Sequence, residues 1–185
     1  DMQQELGLYG NIFVEAAHDL NVADKDVILI LDDIKIFNND VYPFKNEANH
    51  ALMGRFGNVL LVNGEPNYKL DMPQNSIVRF YLTNAASARP FKVSIEGHEL
   101  KLIGSDAGKY ERETLVDNVI LAPGERAVFE VLLDEPGIFK MLHTTPANIY
   151  TLGTVTVAEA EVTKPKSLQP KTNEDIIQEM EPFKK

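Results

Sequence analysis

The chain has 185 residues, 44% of them hydrophobic and 25% charged, with 28 acidic against 18 basic side chains and a formal net charge of −10. That is the size of one globular domain, or of one domain with attachments, able to bury roughly 70% of its unfolded surface around a single core. The charge argues against a nucleic-acid partner, which needs clustered Lys and Arg; the lack of cysteine rules out disulfides, iron–sulfur clusters and thiolate metal sites; and no apolar run approaches the ~20 residues of a membrane span.

A soluble chain is therefore expected. It opens at Asp1 without a basic n-region or an apolar h-region, which reads as a mature form or a fragment rather than a signal peptide. In chain order, residues 6–14, LGLYGNIFV, read as a strand set apart by the polar stretch 18–26. Apolar runs at 27–31 and 59–62 follow. SIVRFYLTNA then sets Val78, Phe80 and Leu82 on one face against Ile77, Arg79 and Tyr81. RPFKVSIEG sets Phe91, Val93 and Ile95 against Lys92, Ser94 and Glu96. After short runs at 100–103 and 119–121, ERAVFEVLLDEPG sets Ala127, Phe129, Val131 and Leu133 against Val128, Glu130 and Leu132, and 154–157 closes the series.

A period of two marks half-buried strands. Turn signals punctuate them at Asn63-Gly64, Pro73-Gln74-Asn75, Gly97-His98, Pro123-Gly124 and Pro136-Gly137. Eight or more short strands so spaced, with no long helical pattern among them, point to an all-β sandwich or barrel. Residues 161–185 carry three prolines and mixed charge, which reads as an extended linker and a short helix. Thr172 and Asp175 are placed to form a capping box, Pro182 to stop the helix, and Ile176, Ile177 and Met180 to form one small apolar stripe.

Chemistry is scarce. There is no G-x-S-x-G elbow, and GRFGNVLLVNG lacks the spacing and the Lys-Ser/Thr pair of a phosphate cradle, so it reads as a turn entering a buried strand. The four histidines, His18, His50, His98 and His143, include no His-x-His or helical i, i+4 pair. His98 follows Gly97 as a polar turn residue, His143 shares the face of Phe139 and Met141 as a buried, hydrogen-bonded histidine, and His18 and His50 fall in exposed loops. The acidic groupings Asp32-Asp33 and Glu111 to Glu113 read as solvated surface charge, since neighbours on a strand face opposite ways.

Four segments acquire meaning together. MGRFGNVLLVNGE, VRFYLTNAASARPFKVSIEGHELKLIGSDAG, LAPGERAVFEVLLDEPG and GIFKMLHTT, in this order over residues 26–158, resemble the middle domain of three-domain multicopper oxidases of the laccase and bilirubin-oxidase-like group. The resemblance implies a cupredoxin-like Greek-key β-sandwich or barrel over 24–160, a terminal strand left from a preceding cupredoxin domain over 1–23, and a linker and short helix toward a following domain over 161–185. It implies a parent protein that carries copper, oxidises a substrate and reduces dioxygen to water, and a secreted or periplasmic location.

Within this fragment the resemblance implies no catalytic, cofactor-binding or metal residue. A functional cupredoxin has His-Cys-His near the strand after the Pro-Gly turn, whereas here that place reads Leu142-His143-Thr144. The family's middle domain commonly lacks copper and holds its neighbours in register, so the expected partners are flanking cupredoxin domains of the same chain, with self-association through exposed edges as a further expectation. The residues singled out are architectural: Gly97, Pro123, Gly124 and Gly137 for turns, and Phe80, Phe91, Val93, Phe129 and Val131 for the core. Two rivals stand beside this reading: a free-standing β-sandwich binding or adhesion module without a redox role, and an enzyme whose site is formed by His98 and Asp106.

Overall fold

A computed structural model describes residues 2–14, 23–43 and 48–183. A single helical turn α1 (Met2–Glu5) comes first, and β1 (Lys25–Ile34), the small hairpin β2 (Ile36–Phe37) and β3 (Asp40–Val41), and the short helix α2 (Ala48–Met53) follow. The body is then all strand: β4 (Val59–Val62), β5 (Tyr68–Pro73), β6 (Ser76–Asn84), β7 (Phe91–Ile95), β8 (Leu100–Ser105), β9 (Gly108–Val116), β10 (Val119–Leu121), β11 (Arg126–Leu133), β12 (Gly137–Thr144) and β13 (Ile149–Ala158). Helix α3 (Glu174–Met180) and a 3-10 turn (Glu181–Phe183) end the described chain.

The strands form two sheets, ordered β4-β1-β6-β11-β8-β9 and β10-β7-β12-β13-β5. Most neighbours are antiparallel, but β1 runs parallel to β6 and β13 parallel to β5, so the chain crosses between sheets in the manner of a Greek key. The alternation in the sequence decides which face of each strand turns inward. Val78, Phe80 and Leu82 of β6, Phe91 and Val93 of β7, and Phe129 and Val131 of β11 are all buried in one continuous cluster with Leu29, Leu100 and Met141. Phe80 and Phe129 stack with centroids 5.2 Å apart at its centre.

The turns form where the residue types permit them. Asn63 and Gly64 both take positive φ, 52° and 80°, and Val62 and Glu65 exchange N–H···O bonds of 2.9 and 3.1 Å across them, the geometry expected of Asn-Gly. In the loop before β11, Pro123 presets the first bend and Gly124 takes φ 85°, with the Glu125 N–H donating back to the Ala122 carbonyl at 3.0 Å.

Several expectations need correction. Residues 8–14 form no strand; they hold to the outer face of the first sheet by side chains, with Tyr9 donating to Asp32, Asn11 bonded to Thr83 at 2.9 Å and Phe13 edge-on to Tyr81 at 4.8 Å. Strands β5 and β9 were not expected, although β5 alternates buried Leu70 and Met72 with exposed Lys69 and Asp71. His50 lies half-buried on α2 rather than in an exposed loop, and His18 lies outside the described residues. Helix α3 is capped at Asn173, with no side-chain cap bond, rather than at Thr172. Pro182 does fall beyond the α-helix, inside the 3-10 turn.

Replacing Gly124 by valine forces a β-branched side chain to positive φ, which costs about 1–3 kcal/mol. The expected outcome is a lower thermal midpoint with unchanged far-ultraviolet circular dichroism; an unchanged midpoint would contradict the assigned turn.

Candidate functional site

His98 is a turn residue. Its N–H donates to the Ile95 carbonyl at 3.1 Å, its Nδ1 lies 2.8 Å from the Glu96 carbonyl oxygen, and its ring meets Phe139 edge-on at 4.5 Å. Gly97 supplies the required positive φ of 76°. Asp106 lies just beyond the other end of β8, a strand whose six residues span roughly 20 Å, and there it pairs with Arg126 at 2.6 Å. The two are not brought together, which removes the enzyme reading built on them.

His143 occupies the place where the resemblance puts copper ligands in a functional cupredoxin. It lies near the end of β12 and is 1% exposed. The Lys92 N–H donates to its Nδ1 at 3.1 Å, so the neutral ring carries its proton on Nε2, and that atom is buried without a hydrogen-bond partner. The imidazole packs against Phe91, 4.9 Å away and tilted, and Tyr150, 5.7 Å away and nearly parallel. Burial lowers its pKa below the ordinary 6.5; of the more distant charges Arg89 lowers it further while Asp33 opposes the shift.

These residues do not fit a copper centre. One imidazole has its Nδ1 committed to the backbone, two aromatic rings pack against it, and no thiolate exists in the chain to complete a blue site. Among the described residues no three His, Cys, Asp or Glu side chains gather into a potential metal cage.

What the structure does bring together is charge. Asp33 is on the inward face of β1 with Leu29 and Leu31 and is 7% exposed. Its Oδ2 accepts from Arg89 Nε at 2.6 Å and from the Gly57 N–H at 2.7 Å, while the same guanidinium donates to the Gly57 carbonyl at 2.8 Å and lies over the Phe56 ring. The run GRFGN is thus the clamp that leads the chain into β4. On the outer face of the first sheet, Glu130 accepts from Arg79 at 2.8 Å and Lys101 at 2.7 Å, and Lys101 reaches Glu113 at 3.3 Å. All four are buried. Burial pushes Glu130 up, but hydrogen bonds from Lys101 and Arg79 outweigh it and hold the carboxyl below its ordinary range. Asp33 and Glu113 are therefore not solvated charges, contrary to their reading in sequence; their partners lie 56 and 12 positions away.

Residues 26–161 match the family model described as multicopper oxidase. The chain is 30% identical over 151 residues to cell division protein FtsP of Haemophilus influenzae, covering 78% of this chain and 31% of that protein. It is 36% identical over 110 residues to FtsP of Photorhabdus laumondii, covering 59% and 22%. A laccase-like multicopper oxidase, CueO from an Ochrobactrum species, aligns with TM-score 0.67 at 26% identity over 77% of this chain and 33% of that one. McoA of Aquifex aeolicus aligns at 0.66 and 22% identity, over 80% and 34%, a likeness of fold alone. The sandwich is cupredoxin-like, and the chain spans about a third or less of the length of these proteins.

Two measurements probe the buried groups. A base whose native pKa is lowered contributes stability that is complete above its unfolded value and is lost as pH falls through the native one. Stability should therefore decline as pH drops below 6.5, before the carboxylates titrate, and His143→Phe should flatten the decline between about pH 7 and about pH 5; an equal slope in both proteins would refute the assignment. Lys101→Met removes the ammonium between two buried carboxylates, leaving Glu130 to Arg79 and Glu113 to the Lys171 N–H alone, and should cost about 3–5 kcal/mol in denaturant unfolding. A loss under about 1 kcal/mol would mean that water reaches the cluster.

Proposed function

The chain belongs to the multicopper oxidase family, and on that premise we propose that residues 24–160 are its structural middle domain, which binds no copper of its own. Residues 1–23 are the end of a preceding cupredoxin domain and 161–185 the connection to a following one. The observation that carries this reading is the ring stack at His143, where a backbone N–H and two aromatic rings take up the imidazole that a copper site would need. The domain's task is to hold its neighbours in a fixed relation rather than to transfer electrons. Coverage of only a third of the related proteins favours this over a free-standing binding module.

For the intact protein the first reading is an oxidase that takes electrons from a substrate and reduces dioxygen to water, with its copper in the flanking domains and a secreted or periplasmic location. A second reading has a specific observation behind it. The relatives at 30% and 36% identity bear a cell-division name, above the 26% and 22% of the two oxidases described above, which favours an assembly role for the whole chain on the same fold. The acidic surface suits neither nucleic acid nor an anionic membrane. No helix among the described residues is long and apolar enough to cross a membrane. Leu8, Ile12 and Val14 stand exposed along the outer side of the N-terminal segment, and a flanking domain or a second copy is the expected cover.

The test is direct. The 185-residue chain, incubated with cupric ion and desalted, should retain well under one copper per molecule and show no blue absorption band. A stoichiometric blue copper would overturn the structural reading. Copper content and dioxygen uptake by the full-length gene product then separate the oxidase from the assembly role.

A further inference from the structure

The ten residues 164–173 are proline-punctuated and, as a sequence, look like a loose linker. In the structure they are fastened at both ends. At the first end Asn75, in the β5–β6 turn, donates from Nδ2 to the Lys164 carbonyl at 2.9 Å and accepts from the Lys166 N–H at 2.8 Å. The side-chain amide thus pairs with the segment as a peptide group would. Lys166 Nζ adds an ion pair to Asp24 at 2.5 Å.

At the second end the segment pairs with β9, the outermost strand of the six-stranded sheet. Arg112 and Thr172 are antiparallel partners. The Glu113 N–H donates to the Lys171 carbonyl at 2.9 Å and the Asn173 N–H to the Glu111 carbonyl at 2.8 Å. Side chains reinforce the ladder: Glu113 Oε2 accepts from the Lys171 N–H at 3.1 Å, and Asn173 Nδ2 donates to the Tyr110 carbonyl at 2.6 Å. Between the two ends Pro165 and Pro170 have no N–H to satisfy and favour extended backbone, while Leu168 is half-buried in a groove with Leu115 and Leu132.

An edge strand offers unpaired N–H and C=O groups to any other strand. We propose that residues 164–173 are a strap integral to this domain, which adds to β9 as a further strand segment, closes that edge to other strands and fixes the point where the chain leaves the sandwich. Glu113 is its latch, because the carboxylate that holds the Lys171 N–H also pairs with Lys101 of the buried charge cluster. An extended segment of another molecule reaches β9 only by displacing the strap. The inference is independent of whether the domain binds copper.

The test uses amide hydrogen exchange on the whole chain. Asn173→Pro deletes both the N–H to Glu111 and the side-chain bond to Tyr110, whereas Asn173→Ala keeps the former. The Glu113 amide should be protected in the wild type, exchange about tenfold faster or more in the proline variant and less than about threefold faster in the alanine variant, with the central Val131 amide unchanged in both. A Glu113 amide that exchanges like an unpaired group in the wild type, or equally in wild type and proline variant, would overturn the strap. Should the proline variant lose the core as well, trypsin on the wild type decides. Slow cleavage after Lys166 and Lys171, at the rate of global opening, supports the strap, and rapid cleavage there with the core intact refutes it.

Discussion

The pairing of β6 with β11 sets two environments at once. On successive rungs Phe80 faces Phe129 and Arg79 faces Glu130. The first pair stacks at the centre of the apolar cluster, and the second lies on the opposite face of the same sheet as a charge-assisted hydrogen bond at 2.8 Å. Because side chains alternate faces with a period of two, a slip of one residue would drive Glu130 into the core and expose Phe129. Both errors are expensive, an unpaired buried carboxylate more so than a lost aromatic contact. The register of the two central strands is thereby fixed from both sides, and the remaining strands build outward from it.

The outer face of this sheet is consequently a built surface. Arg79, Lys101, Glu113 and Glu130 form an alternating chain of charge across β6, β11, β8 and β9, and two segments from opposite ends of the sequence lie over the same sheet. Residues 8–14 touch it at Asp32, Tyr81 and Thr83, and residues 164–173 touch it at β9 and the β5–β6 turn. Buried ion pairs are weak contributors to net stability, since desolvation offsets much of their attraction. Their effect here is positional: each carboxylate accepts from two or more donors whose strands must be in register for the cluster to close.

How much of this the sequence discloses depends on the range of the interaction. Alternation in β6, β7 and β11 is local, and so are the Asn63-Gly64 and Pro123-Gly124 turns; all were legible because a residue's own chemistry sets its face or its φ. His98 was legible for the same reason. Strand β9 was not, because GKYERETLV at an edge buries only Glu113 among its nine residues and shows no apolar face to count. Asp33 and Glu113 were misread because an acidic residue in an acidic chain looks solvated until its cation, Arg89 or Lys101, is folded against it. Helix α3 begins one residue late because Thr172, a good cap by type, is engaged in the bridge to Arg112, and Asn173 spends its side chain on Tyr110. Residues 6–14 alternate like a strand but find side-chain partners rather than a backbone ladder.

His143 joins the local and the long-range determinants of the fold. Its placement on the inward face of β12 follows from spacing alone, but what it does there is set by β7 and β13. In a copper-binding cupredoxin an imbalance of charge and lone pairs at this end of the sandwich would be met by the metal. Here the lone pair of Nδ1 is met by the Lys92 N–H, and the ring packs against Phe91 and Tyr150. A neutral imidazole so enclosed contributes packing and one hydrogen bond, and it becomes a liability when protonated, because the cation would have neither its acceptor role nor water to solvate it. The same residue type that elsewhere would bind an ion is held here as part of the core, and its environment rather than its identity decides the difference.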